Sequence, residues 1–600
     1  METPMTRKDA LKLGAAAGVA FSATGLLPRA AKAASVGVGS KPSILLIVVD
    51  DMPDRLLEVM EKVQSRLMPP LAPGTRFLNA YTAIPLCGPN RAAILSGRFP
   101  HTTKVTTNSA WQAFSSGGHE AFTFVKALND AGYDTALFGK YMNGRGGSTS
   151  IPAGWDRWFE LPGSSTHSST SYVVNDQGKN VSFPNTKNDS ELAYEKALPW
   201  IRERTPATTP FFIQFSPTNP HKPYTPTATH AHDYDTVAPR NVPSVNEADM
   251  SDKPAKMQKG TISRSELEAV EEGMREELED TDDFIADLLD AAEAVTGNSN
   301  LLVIFTSDNG FQAGEHRLVN KSWQYQESVE IPLIMRGTGF PAQETTQLVS
   351  SVDISWTILN FAGVAPPRAL DGRSLHEIVL GNQPADAPWR KRVVIEDPTD
   401  KSWQMYREFQ PPPAGQPPSA GKDFAFIRHL NDPTPEFYDL TVDQYQLDSK
   451  PSMVTADMRS KLDRLTSLTG ANLRAVEEEP STTQGGGDTT APTVKSTVPA
   501  ANAPGVSPTT NVTATFSEDM LASSINGTTF RLFKKGSTTK IAATVVYPDP
   551  DPNSPPYTAK LDPTNSLQIG VTYKAVVTTG AKDLAGKPLA QQYRWFFTVG

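Results

Sequence analysis

The chain reads as an open α/β sheet followed by an all-β sandwich, and three observations predict this. From residue 43 to about 362, short β-branched apolar runs alternate with amphipathic helical stretches. Two of those runs end in acidic or amide pairs, Asp50-Asp51 and Asp308-Asn309. Beyond a stretch rich in Glu, Gly, Ser and Thr, residues 494–600 show only short alternating strands.

Taken in order, residues 43–49 (Ser-Ile-Leu-Leu-Ile-Val-Val) are too short for a typical buried helix and predict a buried parallel strand. The pattern predicts helices over 122–131, 191–204, 265–294 and 353–362, with strands over 135–138, 211–215 and 301–306. From 393 to about 468 it shifts to short strands, including 424–428 and 436–440, and a closing helix, with a Pro-rich loop at 411–418. Residues 477–490 are a flexible linker by composition. The last segment has strands such as 511–516, 573–578 and 595–599, a turn near 521–525, and about seven strands in all. The expected boundaries are 34–395 for the α/β domain, 396–476 for a small α+β subdomain, 477–492 for the linker and 493–600 for the sandwich.

The 600 residues are 38% apolar and 20% charged, with 50 prolines and 41 glycines, which suits several loop-rich domains. A net charge of −10 argues against a nucleic-acid partner, but leaves an anionic small substrate open because the field inside a pocket is local. Arg7 and Lys8 precede an apolar stretch from Leu11 to Leu27, and Ala31-Lys32-Ala33 offers an A-x-A cleavage site. This predicts a signal peptide over 1–33 and an extracytoplasmic, bacterial location. The single cysteine, Cys87, forms no intrachain disulfide, which fits that setting.

Cys87 stands before Gly88-Pro89 and a short apolar run that ends at Gly97, which places it near a helix N-terminus. Such a terminus favours an anion, so a nucleophile for an anionic substrate belongs there. In open α/β sheets, ligands bind at the carboxyl ends of strands. Asp50, Asp51, Asp308 and Asn309, at two such ends, offer oxygens for a hard cation, calcium or magnesium, and not zinc. Lys140, His221 and Lys321 each follow a predicted strand or lie in the adjoining loop, so all can converge on one rim.

Cys87-Gly88-Pro89-Asn90-Arg91, with Ser96-Gly97-Arg98, resembles the formylglycine-forming signature Cys-x-Pro-x-Arg of type I sulfatases. Asp50-Asp51, Gly139-Lys140, Pro220-His221-x-Pro223, Ser307-Asp308-Asn309-Gly310 and the stretch 321–332 occur in the family's order. Tyr438-Asp439-Leu440 with Asp443 resembles its C-terminal signature, so the resemblance covers roughly 41–468. It implies an alkaline-phosphatase-like fold, a large mixed sheet flanked by helices with a small α+β subdomain. It also implies that a formylglycine-generating enzyme oxidises Cys87 to Cα-formylglycine, whose hydrated aldehyde is the nucleophile and passes through a sulfo-enzyme intermediate. Asp50, Asp51, Asp308 and Asn309 would hold calcium, or magnesium, together with residue 87. Arg91 would hold the diol, Lys140 and Lys321 would neutralise the sulfuryl group, and His221 would assist the leaving group.

Details narrow the resemblance. Met142 stands where many arylsulfatases have histidine. Gly-Lys-Tyr-x-Asn at 139–143, Asp50-Asp51-Met-Pro-Asp54 and Gly97-Arg98-Phe99-Pro100-His101 with Asn108 are similar to N-acetylglucosamine-6-sulfatases and heparan 6-O-endosulfatases. His101, Asn108 and Asn143 thereby become candidate substrate contacts. Gln326 replaces a frequent Glu, and Glu330 a usual base. The C-terminal segment resembles a bacterial Ig-like surface module, whose expected contact is cell wall or glycan. The expectation is an exported sulfatase acting on sulfate monoesters of a small molecule or glycan, with 6-O-sulfated amino sugars in view. Its rivals are a phosphonate or phosphate monoester hydrolase of the same superfamily, and a cysteine hydrolase using Cys87 with His221.

Overall fold

The computed structural model describes residues 41–161, 171–184, 187–205, 209–297, 300–382, 389–399, 401–411, 421–479 and 491–600, the last with short gaps at 519, 522–523, 548, 550–556 and 584–586. The expected signal peptide, nearly all of the Pro-rich loop, most of the linker and part of the 521–525 turn lie outside the described residues. The chain divides into two units. One runs to Arg368 and adds Gly372–Pro451, and the other comprises Ala369–Asp371 and Ser452–Gly600.

The first unit is built on strands β1 (Ser43–Val49), β2 (Gly74–Tyr81), β3 (Asp134–Lys140), β4 (Arg157–Leu161), β5 (Ser171–Asp176), β6 (Lys179–Pro184), β7 (Phe211–Ser216) and β8 (Leu301–Ser307). A short pair, β9 (Gln312–Ala313) and β10 (Val319–Asn320), precedes β11 (Leu333–Arg336) and β12 (Gln343–Ser350). Ten of these form one sheet in the order β12-β2-β11-β8-β1-β7-β3-β4-β5-β6. Its centre, β8-β1-β7-β3-β4, is parallel, whereas β11, β5 and β6 run antiparallel to their neighbours, so the sheet is mixed as expected.

The parallel centre is apolar on both faces, which is why its strands read as unbroken hydrophobic runs. Leu45, Ile47 and Val49 join a core with helices Asp189–Arg202 and Arg264–Thr296. On the opposite face Phe124, of helix Phe124–Asp130, packs edge-on to Phe212 at 5.3 Å. That helix contacts Cys87–Ser96 and Asp353–Phe361. Burying each such side chain contributes roughly 1.5–3 kcal/mol, so the two layers fix the sheet and the strand ends with it.

A four-stranded antiparallel meander, β13 (Arg392–Asp397), β14 (Trp403–Gln410), β15 (Lys422–His429) and β16 (Glu436–Asp439), completes this unit. The second unit opens with helices Ala456–Leu465 and Gly470–Glu478, the latter running into the start of the predicted linker. Then come β17 (Val494–Val498), β18 (Ala503–Val506), β19 (Val512–Phe516), β20 (Phe530–Lys534), β21 (Ala543–Val546), β22 (Thr558–Pro563), β23 (Thr572–Val577) and β24 (Tyr593–Val599). They pair as β17-β19-β22-β21 and β18-β24-β23-β20 around a core that includes Phe516, Phe530, Leu561, Tyr573 and Trp595. The described strands number eight, close to the roughly seven expected, and they include the Pro- and Gly-containing Ala503–Val506, which pairs with β24.

Candidate active site

Register carries the chemistry to one edge of the sheet. Val49 pairs with Ser307 and Gly139 with Ser216, so β1, β8, β3 and β7 end level with one another. Asp50-Asp51 leave β1, Asp308-Asn309 leave β8, Lys140 closes β3, and His221 lies in the loop after β7. Gly139 has φ 120°, and a Cβ there would overlap the Ser216 carbonyl, so only glycine lets β3 run this close to β7 just before Lys140. Asp51 adopts a left-handed φ of 64°, which Asp tolerates, and its N–H donates to Asp308 Oδ1 at 3.1 Å.

Cys87 is the first residue of a helix that is buried throughout and stops at Gly97 (φ 65°), whose N–H donates to the Ala93 carbonyl at 2.8 Å. Its Sγ lies 2.8 Å from Lys321 Nζ, 3.5 Å from Asp50 Oδ1 and 3.8 Å from Asp51 Oδ1. One turn along, Arg91 donates from Nε to Asp308 Oδ2 (2.7 Å) and from Nη1 to the Lys140 carbonyl (2.9 Å). Lys140 pairs with Asp50, and Lys321 with Asp51 at 2.7 Å from Oδ2. His221 Nε2 stands 3.6 Å from Asp51 Oδ2, with the ring a third exposed.

These groups set each other's charge. Burial raises the pKa of Asp50, but Lys140, His221 and Arg91 more than reverse it and leave the carboxyl below its ordinary value. Asp51 is likewise raised by burial and then drawn below by Lys321, His221 and Lys140. Burial lowers both lysines, yet Asp50 and Asp51 outweigh it, and each ammonium is held above the usual lysine value. The Cys87 thiol goes the other way. Burial, with Asp50 and Asp308 adding to it, pushes it far up despite the two nearby lysines, so a free thiolate is strongly disfavoured.

The oxygens fit a hard divalent cation. Asp50, Asp51, Cys87 and His221 each place a ligand atom within 4.8 Å of the others'. Asn309 Nδ2 donates to Asp51 Oδ1 (2.7 Å) and Gly310 O (2.9 Å), while its buried Oδ1 has no hydrogen-bond partner among the described residues. An orphaned buried carbonyl beside three carboxylates is the donor chemistry that calcium or magnesium satisfies.

Supporting residues escaped the sequence reading. Asn90, the second variable position of the cysteine signature, donates to the Asp308 carbonyl at 2.6 Å and accepts from Ala83 N (3.1 Å) and Ser351 Oγ (2.6 Å). A lone Asn in an apolar helical run was the available signal. Thr218 N and Asn219 N donate to Ser190 Oγ at 2.9 and 3.2 Å, and Asp50 N to the Asn219 carbonyl at 3.2 Å, which ties the His221 loop to β1. The Lys321 loop is held by the small sheet. Trp403 Nε1 donates to the Ser322 carbonyl (3.0 Å), and Gln324 Nε2 and Tyr325 Oη each donate to the buried Glu436 at 3.0 Å.

Among the candidate substrate contacts, Asn108 and Asn143 border Gly88. The Gly88 N–H donates to Asn108 Oδ1 at 3.2 Å, and a Cβ on Gly88 would lie 3.2 Å from that of Asn143. His101 is tied to Glu396 of β13, whose Oε1 is 2.8 Å from both its Nδ1 and its backbone N. Gln326 donates to Glu330, so the two departures from the family pattern partner each other.

A mixed sheet that gathers a buried cysteine, two lysines, an arginine and an aspartate–asparagine set at its strand ends defines a class. Residues 42–364, more than half of the chain, match the sulfatase family, and the chain belongs to it. Residues 314–466 match the domain described as N-sulphoglucosamine sulphohydrolase, C-terminal, and 488–599 the bacterial Ig-like domain. An N-acetylglucosamine-6-sulfatase of Capra hircus is 28% identical over 381 residues, covering 59% of this chain and 66% of that protein. An N-acetylglucosamine-6-O-sulfatase of Bacteroides thetaiotaomicron is 26% identical over 486 residues, 68% of this chain and 82% of its own. The chain spans about half to two thirds of the length of the first of its curated relatives. A solved structure described as BT4656 in complex with its substrate D-glucosamine-2-N,6-O-disulfate superposes with a TM-score of 0.54 at 22% identity, covering 71% of this chain and 97% of that one. This likeness bears on the fold. No helix among the described residues is long and apolar enough to cross a membrane.

Proposed function

We propose that this protein is an exported sulfatase that hydrolyses sulfate monoesters, with 6-O-sulfated amino sugars of glycans as its substrate class. The observation that carries this reading is the convergence of Lys140, Lys321 and Arg91 with Asp50, Asp51, Asp308 and Asn309 around a buried residue 87. Two relatives named as N-acetylglucosamine-6-sulfatases support the choice of substrate class.

Asp50, Asp51, Asp308 and Asn309 would hold calcium, which supplies Lewis-acid charge. Residue 87, if matured to formylglycine, would supply an aldehyde hydrate hydroxyl in place of the thiol. Lys140 and Lys321 bring two fixed positive charges beside residue 87, where sulfuryl oxygens must be balanced. Asp50 and Asp51 hold those ammonium groups before substrate arrives, so little reorganisation accompanies reaction. Arg91 clamps Asp308 and the end of β3, and its buried Nη2, 3.7 Å from Asp50 Oδ2 and without a hydrogen bond among the described residues, would hold the diol. His221, partly exposed, lies between site and solvent, where a leaving oxygen takes up its proton. Asn108 and Asn143, flanking Gly88, would meet the sugar. A cysteine nucleophile activated by His221 finds no support, because Sγ is paired with Lys321 and its thiol is pushed up by burial.

The test is a paired measurement of kcat/KM on 4-nitrophenyl sulfate and 4-nitrophenyl phosphate, with release of sulfate from N-acetylglucosamine-6-sulfate alongside. The proposal expects preference for sulfate and turnover of the 6-O ester. A large phosphate preference overturns it.

A further inference from the structure

We infer that the outer face of the β18-β24-β23-β20 sheet is a docking surface for a polysulfated glycan chain. The four strands contain Arg531, Lys534, Lys574 and Arg594, and no Asp or Glu. Strand alternation sends Leu532, Tyr573, Trp595 and Phe597 into the core and leaves Arg531, Phe533, Lys574, Arg594 and Phe596 on the other face.

Register sorts this face into three rungs. Phe533, Lys574 and Phe596 are direct partners on adjacent strands, and Arg531, Val576 and Arg594 are partners on the next rung. On the third, Thr572 faces Thr598, and the exposed Lys535 donates its N–H to the Thr572 carbonyl at 2.9 Å. Every rung therefore carries a cation. Lys574 Nζ lies 4.8 Å from the centre of the Phe533 ring, with the Arg531 guanidinium 5.7 Å from the same ring. Lys535 Nζ lies 5.7 Å from the centre of Phe596. Among the described residues, no carboxylate pairs with Arg531, Lys535, Lys574 or Arg594.

Cations resting on rings, with no carboxylate to neutralise them, keep their charge for an outside anion. The rings offer flat apolar area beside each charge. A sulfated pyranose presents the complement of both, a sulfate and an apolar CH face. The charge balance of the module agrees. Residues 491–600 hold ten Lys and Arg against six Asp and Glu, within a chain whose net charge is −10. The three strands β20, β23 and β24 space the outer rungs' ends about 10 Å apart, a span comparable with a disaccharide. The choice of sulfate over other anions rests on the proposed sulfatase activity. Capture by one module of the chain raises the concentration of sulfate esters available to the other.

The experiment measures binding of the full-length protein to immobilised heparin, to chemically desulfated heparin and to single-stranded DNA, over a range of salt. The variants are Lys574→Ala with Arg594→Ala, and separately Lys535→Glu, with thermal melts to show that each is folded. Expected are salt-sensitive heparin binding, weak binding to the desulfated chain and to DNA, and about a tenfold loss of heparin affinity in the double variant. Hydrolysis of a small soluble sulfate ester should stay at the wild-type rate in all variants. Unchanged heparin affinity in folded variants, equal affinity for the desulfated chain, or stronger binding to DNA overturns the surface. Variant-sensitive heparin binding by a protein that turns over no sulfate ester would retain the surface and remove the sulfatase reading instead.

Discussion

Lysine serves two different ends in this chain. Lys140 and Lys321, at the strand ends of the α/β unit, are buried and locked to Asp50 and Asp51. Lys574 and Lys535, on the sandwich, rest on aromatic rings with no carboxylate paired to them among the described residues. The difference is burial. Inside the protein, desolvation strengthens each charge interaction and makes an unpaired partner costly. On the sheet face a charge adds little to stability and is free to meet a ligand. In the proposed reading the same side chain serves chemistry in one place and attachment in the other.

The sharpest way to break that contrast is at residue 87. Cys87→Ala should reduce sulfate-ester turnover to the uncatalysed background while the protein still folds, checked by steady-state kinetics and circular dichroism. Next comes Lys321→Ala, expected to lower kcat roughly 10²–10³-fold. It should also destabilise the metal-stripped protein by about 3–5 kcal/mol, because Asp51 loses the cation that faces it. Denaturant titration reads the second effect. By contrast, Lys574→Ala should shift stability by no more than about 0.5 kcal/mol.

Chelation sharpens the same comparison. Exhaustive dialysis against a chelator should abolish activity and lower the melting temperature of the α/β unit, with both restored by calcium. At a hundredfold excess over its dissociation constant, a bound ion contributes about 2.7 kcal/mol. The sandwich transition should not move.

The same buried pairs also set the pH dependence of the metal-stripped protein. Asp50 and Asp51 have pKa values lowered below 3.8, so their stabilisation is complete above that value and is lost as pH falls through the lower, folded-state pKa. Lys140 and Lys321 are raised above 10.5, so theirs is present below that value and is lost as pH rises through the higher, folded-state pKa. Denaturant midpoints across the pH range should show both edges for the first unit, and Asp51→Asn should flatten the acid one.

Much of this was legible from residues alone, for identifiable reasons. β1 was predicted with its observed bounds, and β3, β7 and β8 within a few residues, because strands covered on both faces are continuous apolar runs. Those strands carry the site, so their polar terminations stood out. The outer strands did not. Gln343–Ser350 is polar and partly exposed, and its pairing with β2 is set by neighbours far away in sequence. The role of Glu436 was hidden for a related reason, since it arises from a contact with Tyr325 that spacing does not encode, and Asn90 showed only as a lone polar residue in an apolar helical run. The cations of the sandwich drew no notice in the sequence, because only register places them with Phe533 and Phe596 on one face.

The most direct measurement is mass spectrometry of the peptide spanning residue 87, taken from preparations matured to different extents. The account predicts an aldehyde in place of the thiol, trapped by hydrazide reagents, with sulfate-ester turnover proportional to the converted fraction. Full activity in protein whose residue 87 is entirely unconverted cysteine would contradict it.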